Sequence, residues 1–477
     1  MNDLNIINGT IVRPEGCIEA DLAVSEGKIV SVAAPGQLRE NAKETIDAKG
    51  KLIFPGMIDT HVHIRGGKLS HREDFFSGTV AAASGGITTI MEMPIANPPA
   101  STAEAFQARL QEIDASACVD FCMYGGAGSD NLDQISALAE LGAVAYKTFL
   151  MPPVPGREKE FYGLCCESYD DLVSAMSQVH KTGLLLACHS ELNEYVAEST
   201  ARIMAQGRNG VKAFGESRPK EAETQAVKRV IAAAEKTGCK ASICHVSVPE
   251  TVELIEQARA EGVDIHGETC PQYLLFNDCN AEFAGVFARM KPPLRSPETM
   301  EKLLDAYADG RLEITGSDHA PYTREEKLKN GNDIWHCFDG LPGLELSLLL
   351  LLNKVVDGKL SYRQVVRNTA ENPAALFGID DRKGRIEPGR DADLVIIERL
   401  TAPHTLHTSD MFTKSKESAV LYEGTPLYHR VERTLVRGAT VFQDGKFTGS
   451  TGFGQLIKPQ KEKKEKGVDQ NENRHAR

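Results

Sequence analysis

The sequence predicts an α/β protein in which a (β/α)8 TIM-like barrel is flanked by a small β-sandwich formed by both chain ends. Eight apolar, strand-like runs alternate with helical segments along the middle of the chain. Alternation of this kind builds a parallel sheet, and eight strand–helix units close into a barrel. Short β-rich segments separated by Gly and Pro lie near both ends, which predicts that the ends pair in a smaller domain.

The individual elements follow from the period of the apolar residues. Barrel strands are expected at residues 52–58, 88–93, 119–124, 143–149, 184–188, 241–245, 264–268 and 312–316. Helical patterns between them include residues 101–113, 221–236 and 252–261. Sandwich strands are expected at residues 3–11, 21–25, 28–33, 393–397, 431–437 and 440–442.

This pattern divides the chain into four segments. Residues 1–50 and 381–457 are expected to form the two parts of the sandwich, and residues 51–380 the barrel. Residues 458–477 form a charged tail with almost no apolar residue. Such a segment cannot offset its ordering entropy, so the tail is expected to be disordered.

Composition excludes several classes of protein. With 41% hydrophobic and 25% charged residues, the chain of 477 residues has an ordinary globular composition. Its net charge of −13 argues against nucleic acid or an anionic membrane as a partner, because both bind basic patches. No apolar run is long enough to span a membrane, and no secretory signal is evident. The eleven scattered cysteines, without a CxxC pair, predict reduced thiols in a cytoplasmic protein.

Polar side chains follow five of the expected strands at their C-terminal ends, where barrels of this type build active sites. As residues i and i+2 of the first strand, His61 and His63 point to the same side. The other strand ends carry Lys147 on the fourth strand, His189 on the fifth, His245 on the sixth and Asp318 on the eighth. Each residue alone has an ordinary structural explanation, but packing does not explain all six at one face of a barrel.

This set of side chains fits a hydrolase with two divalent metal ions. Imidazole and carboxylate are ligands for zinc and similar ions. An ammonium group cannot bind a metal, but burial lowers the pKa of an amine. A free amine takes up CO2 to form a carbamate, an anion that is able to bridge two metals. Carboxylation of Lys147 is therefore our hypothesis.

Several motifs of the chain resemble the amidohydrolase superfamily. Residues 55–63, PGMIDTHVH, resemble its first-strand motif, and residues 85–89, 244–247, 268–274, 291–295, 316–319 and 384–394 support the match. The resemblance covers residues 8–454. Within the superfamily, the chain looks like the cyclic amidohydrolases, namely hydantoinases, allantoinases, dihydropyrimidinases and dihydroorotases.

The resemblance implies a role for each residue of the site. One metal would be bound by His61, His63 and Asp318, the other by His189 and His245, with carboxylated Lys147 as the bridge. A water or hydroxide between the metals would attack, and Asp318 would act as general base and then general acid. The implied reaction opens a cyclic amide or ureide, foremost a hydantoin or allantoin. The implied assembly is a homodimer or homotetramer.

Four residues are candidates for substrate binding: Arg65, Asn97, His319 and Asp339. Dihydroorotases often carry an Arg just after the first-strand histidines that contributes to binding the substrate carboxylate. Arg65 has a similar position, although the usual Glu-Pro-Gly that follows is Gly-Gly-Lys here. The alternative is that Arg65 belongs to a surface loop.

Two further points concern residues near the expected ligands. The Tyr that hydantoinases commonly have five residues after the bridging Lys is Pro152 here, which leaves Tyr146 and Tyr162 as candidate oxyanion donors. Cys188 and Cys244 each precede an expected ligand. Strand alternation predicts that both thiols point away from the barrel interior.

Other functions stay open at this point. Dihydropyrimidines and then dihydroorotate are the next substrate classes after hydantoin and allantoin. A scaffold without metals is a rival, although the presence of all six metal-site residues argues against it. A hydrolase of linear or exocyclic amides is another rival, which would release ammonia instead of opening a ring.

Overall fold

The structure, a computed structural model, describes residues 1–38 and 41–460. The predicted disordered tail lies outside the described residues from residue 461 onward. The described residues form the strands β1 (Asn2–Arg13), β2 (Gly16–Ser25), β3 (Lys28–Ala33), β4 (Ala42–Asp47), β5 (Leu52–Pro55), β6 (Met57–Val62), β7 (Ile87–Glu92), β8 (Asp120–Gly126), β9 (Ala145–Phe149), β10 (Leu186–His189), β11 (Ala241–Ile243), β12 (Ile265–Thr269), β13 (Ile314–Thr315), β14 (Leu394–Thr405), β15 (Pro426–Val436), β16 (Ala439–Gln443) and β17 (Lys446–Phe447).

They also form the α-helices α1 (Phe75–Ser84), α2 (Ala103–Ser116), α3 (Ile135–Leu141), α4 (Tyr169–His180), α5 (Asn193–Ala205), α6 (Val211–Glu216), α7 (Lys220–Thr237), α8 (Pro249–Ala260), α9 (Pro271–Leu275), α10 (Asp278–Ala284), α11 (Pro297–Asp309), α12 (Arg324–Leu328), α13 (Ser347–Val356), α14 (Tyr362–Val366) and α15 (Asn372–Leu376). Among the described residues, none of these helices combines the length and the apolar character that crossing a membrane requires.

Strands β6 to β13 form one parallel sheet in which every strand lies beside its neighbours in the chain. The sheet closes on itself just after β13, where the backbone N–H of His63 donates to the carbonyl of His319 at 2.8 Å. Ile58, Met91 and Leu185 belong to the apolar cluster inside the barrel, while a larger cluster fills the layer between the strands and the helices. The predicted (β/α)8 barrel is confirmed.

Helix α4 illustrates how the outer layer forms from the sequence. Ser168 caps its first turn in a reciprocal capping box with Asp171, which satisfies backbone N–H groups that would otherwise lack partners. Its buried side chains recur at helical spacing: Leu172, Ala175, Met176 and Val179. This spacing places one apolar stripe against the barrel and leaves the other face to solvent.

Both chain ends contribute to a second, nine-stranded mixed sheet that flanks the barrel. Its centre joins the two ends, because β5 pairs with β1 in parallel and with β14 in antiparallel orientation. A separate apolar cluster that includes Ile6, Leu22, Ile53 and Ile396 forms the core of this domain. The predicted β domain from both ends is therefore confirmed, and hydrogen bonds join all of its strands into a single sheet.

The strand expected at residues 52–58 is in fact two strands that belong to different sheets. Ile53 in β5 pairs with Ile396 of the β domain, whereas Met57 in β6 pairs with Ile87 of the barrel. Gly56 separates them, and a Cβ atom there would lie 2.0 Å from Oγ1 of Thr88. The apolar run is continuous because both strands are buried, so its pattern does not reveal the break. The polar strand β4 and the short β17 were also not predicted.

Candidate active site

All six candidate metal ligands line one cavity at the C-terminal end of the barrel strands. His61 lies in β6 and His63 directly follows it, Lys147 lies in β9, His189 ends β10, and His245 and Asp318 lie just beyond β11 and β13. The backbone of His245 and Asp318 is left-handed, with φ of 39° and 49°. Non-glycine residues rarely adopt this conformation, which is typical of functional sites.

The side chains form two adjacent groups. The Oδ1 atom of Asp318 lies 3.4 Å from Nε2 of His61 and 3.3 Å from Nε2 of His63. In the second group, Nδ1 of His189 lies 3.0 Å from Nε2 of His245. The ring centroids of His61 and His245 are 5.4 Å apart, which brings the two groups together. The structure thus brings these five side chains together at one place.

Glu268 at the end of β12 orients the first of these imidazoles. Its Oε1 atom lies 2.6 Å from Nδ1 of His61, and its Oε2 atom accepts a hydrogen bond from Thr60 at 2.6 Å. Since the carboxylate holds Nδ1, it directs Nε2 of His61 toward the cavity. The sequence analysis gave Glu268 no role, although its position at the end of the seventh barrel strand was the available signal.

The protonation states of the imidazoles fit metal binding. Burial lowers the pKa of His63 to about 3, and it also lowers the pKa values of His189 and His245. These rings are therefore neutral and keep a lone pair for a metal. Burial and Lys147 would lower the pKa of His61, but Glu268 and Asp318 raise it to about 10. The two carboxylates thus favour a positive charge here, which a proton or a metal ion supplies.

The donor atoms also fit a metal ion by their chemistry and spacing. The ligand atoms of His61, His63 and Asp318 all lie within 4.8 Å of one another. The ring nitrogens that face one another here are Nε2 of His61, Nε2 of His63, Nδ1 of His189 and Nε2 of His245. Neutral imidazoles combined with a carboxylate are the ligands that zinc and related divalent ions prefer.

Lys147 and Cys244 face each other inside the barrel. Nζ of Lys147 donates a hydrogen bond to Sγ of Cys244 at 2.9 Å, and both residues are buried. The prediction that the Cys244 thiol points away from the interior is wrong, because β11 ends at Ile243 and the alternation ends with it. Cys188 does lie in the outer apolar layer, as predicted. All eleven cysteines are free thiols.

The other residues that line the cavity differ in character. Apolar ones include Ile95, Phe149, Met151, Val154 and Phe161. Charged and polar ones are Arg65, Arg157, Lys291, Tyr322 and Asp339. Both kinds of group therefore lie beside the candidate metal ligands.

Two of the four candidate substrate-binding residues line the cavity, namely Arg65 and Asp339. Asp339 is held between Nε of Arg289 at 2.7 Å and Nζ of Lys291 at 2.8 Å. The other two candidates, Asn97 and His319, are not among the cavity-lining residues that the structure describes. Nδ1 of the buried His319 instead accepts a hydrogen bond from the backbone N–H of Gly343.

Neither candidate for the oxyanion donor faces the cavity. The Tyr146 hydroxyl donates to the carbonyl of Ile135 in the outer layer, and Tyr162 is 48% exposed. The phenol that does line the cavity is Tyr322, which is 1% exposed. The sequence analysis missed it, and its only signal was its position four residues after Asp318 on the same loop.

A (β/α)8 barrel that gathers imidazoles, a carboxylate and a buried lysine at the C-terminal ends of its strands defines a class, the metal-dependent hydrolases. The chain belongs to the Amidohydrolase family, whose sequence model matches residues 52–425. This metal-dependent family is the one that the motifs indicated, so the predicted resemblance is confirmed.

Individual relatives agree with this assignment. L-hydantoinase from Paenarthrobacter aurescens is 35% identical over 459 residues, covering 96% of this chain and 98% of the relative. Allantoinase from Bacillus velezensis is 35% identical over 460 residues, with coverage of 96% and 98%. The solved structure of L-hydantoinase (dihydropyrimidinase) from Arthrobacter aurescens is 34% identical, with a TM-score of 0.91 and coverage of 96% and 100%. Dihydropyrimidinase from Brevibacillus agri is 28% identical, with a TM-score of 0.85 and coverage of 95% and 98%.

Proposed function

We propose that this chain opens the ring of a cyclic amide or ureide by hydrolysis, foremost a hydantoin or allantoin. The observation that carries the proposal is the convergence of four imidazoles, Lys147 and Asp318 on one buried cavity. Relatives named L-hydantoinase and allantoinase, each similar along almost the whole chain, support this substrate class.

The ligand assignment follows the two groups of side chains. His61, His63 and Asp318 would hold one divalent ion, and His189 and His245 the other. Lys147, carboxylated on Nζ, would bridge the two ions. When bound, the ions supply Lewis acidity and an activated water. Zinc suits this ligand set, as do manganese, cobalt and iron.

Asp318 is the residue that moves the proton. Burial would raise its pKa, but His61 and His63 lower it below the usual value for Asp. The carboxylate is therefore ionised and accepts the proton of the attacking water. As the C–N bond of the ring breaks, this proton passes to the departing nitrogen, and the former carbonyl carbon becomes a carboxylate.

Dihydropyrimidinase activity is the second candidate. The observation that favours it is the high structural similarity to a solved dihydropyrimidinase, with a TM-score of 0.85. The six-membered dihydropyrimidine ring contains the same ureide unit as a hydantoin, so the same residues would serve both reactions. A cytoplasmic location and a dimeric or tetrameric assembly stay predictions.

The test is a hydrolysis assay on purified protein with its metal content measured. The assay compares four kinds of substrate: allantoin, both enantiomers of 5-substituted hydantoins, dihydrouracil and dihydroorotate. Asp318→Asn is the control. Ring opening of one class, lost in the variant, is the expected result. Two bound metals per chain without any ring opening would overturn the substrate class, and release of ammonia would indicate an exocyclic amide. Absence of both metal and activity would favour a scaffold.

A further inference from the structure

Lys327 in α12 is a buried cation close to the candidate active site. This residue is 1% exposed, and its Nζ atom donates hydrogen bonds to the backbone carbonyls of Phe338 at 2.9 Å and Arg289 at 3.2 Å. The carboxylate of Asp339 instead pairs with Arg289 and Lys291. Burial of a charge is costly unless partners compensate it. The two carbonyls are therefore the groups to which this ammonium is committed.

Both acceptors directly precede residues that line the cavity. The two residues after Arg289 and the two after Phe338 all belong to its lining: Met290, Lys291, Asp339 and Gly340. The carbonyl of Arg289 also accepts the backbone N–H of Gly340 at 3.0 Å. One carbonyl thus receives both the Lys327 ammonium and the neighbouring segment. Through these bonds, Lys327 joins two stretches of backbone that border the cavity.

A third segment of the cavity lining meets the other two at the same place. The loop after β13 carries Tyr322, which lines the cavity and stacks on Phe338 with ring centroids 4.9 Å apart. Nζ of Lys327 lies 6.0 Å from the centroid of the Tyr322 ring. Gly340 approaches this loop so closely that a Cβ atom there would collide with the carbonyl oxygen of Ala320. Lys327 therefore lies where three cavity-lining segments pack together.

The charge of Lys327 depends on these surroundings. The titratable and charged groups that act on Nζ are Cys337, Asp339, Tyr322 and Arg289. Burial lowers the pKa of Lys327 to about 8, although the first three of these groups raise it. The ammonium is thus intact at neutral pH and loses its proton as the pH rises through this value. A charged donor makes a hydrogen bond roughly twice as strong as a neutral one, so the contact with both carbonyls weakens at that step.

We propose that Lys327 is a positioning residue for substrate binding: its ammonium group holds the carbonyls of Arg289 and Phe338 and thereby fixes the cavity-lining residues that follow them. Lys327 itself is not among the cavity-lining residues that the structure describes, so it acts through this backbone. A cyclic amide presents hydrogen-bond donors and acceptors, and its orientation depends on where the polar groups of the lining lie. The inference rests on the proposed function, because it concerns how the same cavity binds its substrate.

Lys327→Met removes the charge and both hydrogen bonds but keeps an apolar chain of similar length. For the ring that the wild type opens, we expect KM to rise at least about 10-fold, as for one lost hydrogen bond to a charged group, with kcat lowered less than about threefold. Lys327→Gln keeps N–H donors without the charge, so its KM should be intermediate, and it serves as the test if Lys327→Met does not fold. Lys329→Met, at an exposed lysine two residues further along, should match the wild type. Thermal melting verifies that each variant is folded.

The pH profile separates positioning from a merely structural role. Because the Lys327 ammonium is lost as the pH rises through about 8, KM of the wild type should increase above that pH, whereas kcat should not follow the same step. In Lys327→Met, KM should be high already at neutral pH and should lack this step. Ionisation of the substrate would change both proteins alike, so the difference between the two profiles belongs to Lys327.

Hydrogen exchange tests the same contacts without turnover. The backbone N–H of Gly340 donates to the carbonyl that Lys327 also contacts. Peptides that cover residues 288–292 and 337–342 should therefore exchange faster in Lys327→Met than in the wild type. Peptides from β2 in the β domain are the internal control and should exchange equally in both proteins.

The two proposals fail in different ways. A KM that is unchanged in Lys327→Met, with or without a fall in kcat, would overturn the positioning role and leave the proposed function intact. If metal-loaded wild type opens none of the rings, the proposed function fails, and hydrogen exchange then decides the inference. Faster exchange of both segments in the variant supports it, and exchange equal to that of the wild type overturns it.

Discussion

The Nζ atom of Lys147 lies 2.9 Å from the Sγ atom of Cys244, at a point where both residues are buried inside the barrel. Lys147 also lines the cavity together with the other five candidate ligands. A carbamate on Nζ would therefore lie among the side chains proposed to hold the two ions, where the proposed bridge is required.

Lys147→Ala should lose bound metal and hydrolytic activity together, because it removes the proposed bridge. Adding a small carboxylic acid, such as acetate or propionate, should restore part of both, since a free carboxylate can occupy the space of the carbamate. Metal content by mass spectrometry and initial rates measure the two effects. The same acids added to the wild type are the control. Full activity of Lys147→Ala without added acid would contradict the role of Lys147.

Glu268→Gln should weaken metal binding without removing a ligand. The amide cannot hold Nδ1 of His61 as the carboxylate does, and loss of such outer partners typically costs 10- to 100-fold in metal affinity or activity. Competition with a chelator measures the affinity directly. Thr60→Val, which removes only the hydrogen bond to the other oxygen of Glu268, should have a smaller effect. Equal affinities of wild type and Glu268→Gln would contradict this role.

The sequence predicted that the six candidate ligands lie together, and the structure places all of them at one cavity because strand ends in a parallel barrel share one face. His61, His189 and Asp318 each end or follow an apolar run, and that pattern is local enough to detect. The predicted direction of the Cys244 side chain was wrong because β11 ends at Ile243. The alternation of side chains does not continue beyond the strand, and the sequence pattern does not show where the strand ends. Tyr322 was missed because the geometry of the loop after β13 decides where its side chain lies.

Asp318→Asn should lower kcat by about 10²- to 10⁴-fold, the range typical of a lost general acid–base group. The amide keeps nearly the same volume and one oxygen, so the fold and the cavity should persist. Rates measured on whichever ring the wild type opens, together with a melting curve, separate chemistry from folding. A rate within tenfold of the wild type would show that another group carries the proton.

Lys383 joins the barrel to the β domain through a buried charge cluster. Its side chain is 1% exposed, and Nζ lies 2.5 Å from Asp120, 3.0 Å from Asp391 and 2.5 Å from Asp393. Asp120 opens β8 of the barrel, whereas Asp393 directly precedes β14 of the β domain. Lys383→Met would leave these carboxylates with too little positive charge. We expect a loss of about 3–5 kcal/mol in the free energy of unfolding.

Lys28→Met is the matched control for this cluster. Lys28 also contacts Asp391, at 2.9 Å, but its side chain is 47% exposed. Solvent screens that pair, so its removal should cost less than about 1 kcal/mol. Urea denaturation of both variants measures the difference, and hydrolysis rates below the transition should stay near the wild-type value because the cluster is outside the cavity. Equal losses in the two variants would show that burial of Lys383 adds nothing to its pairing.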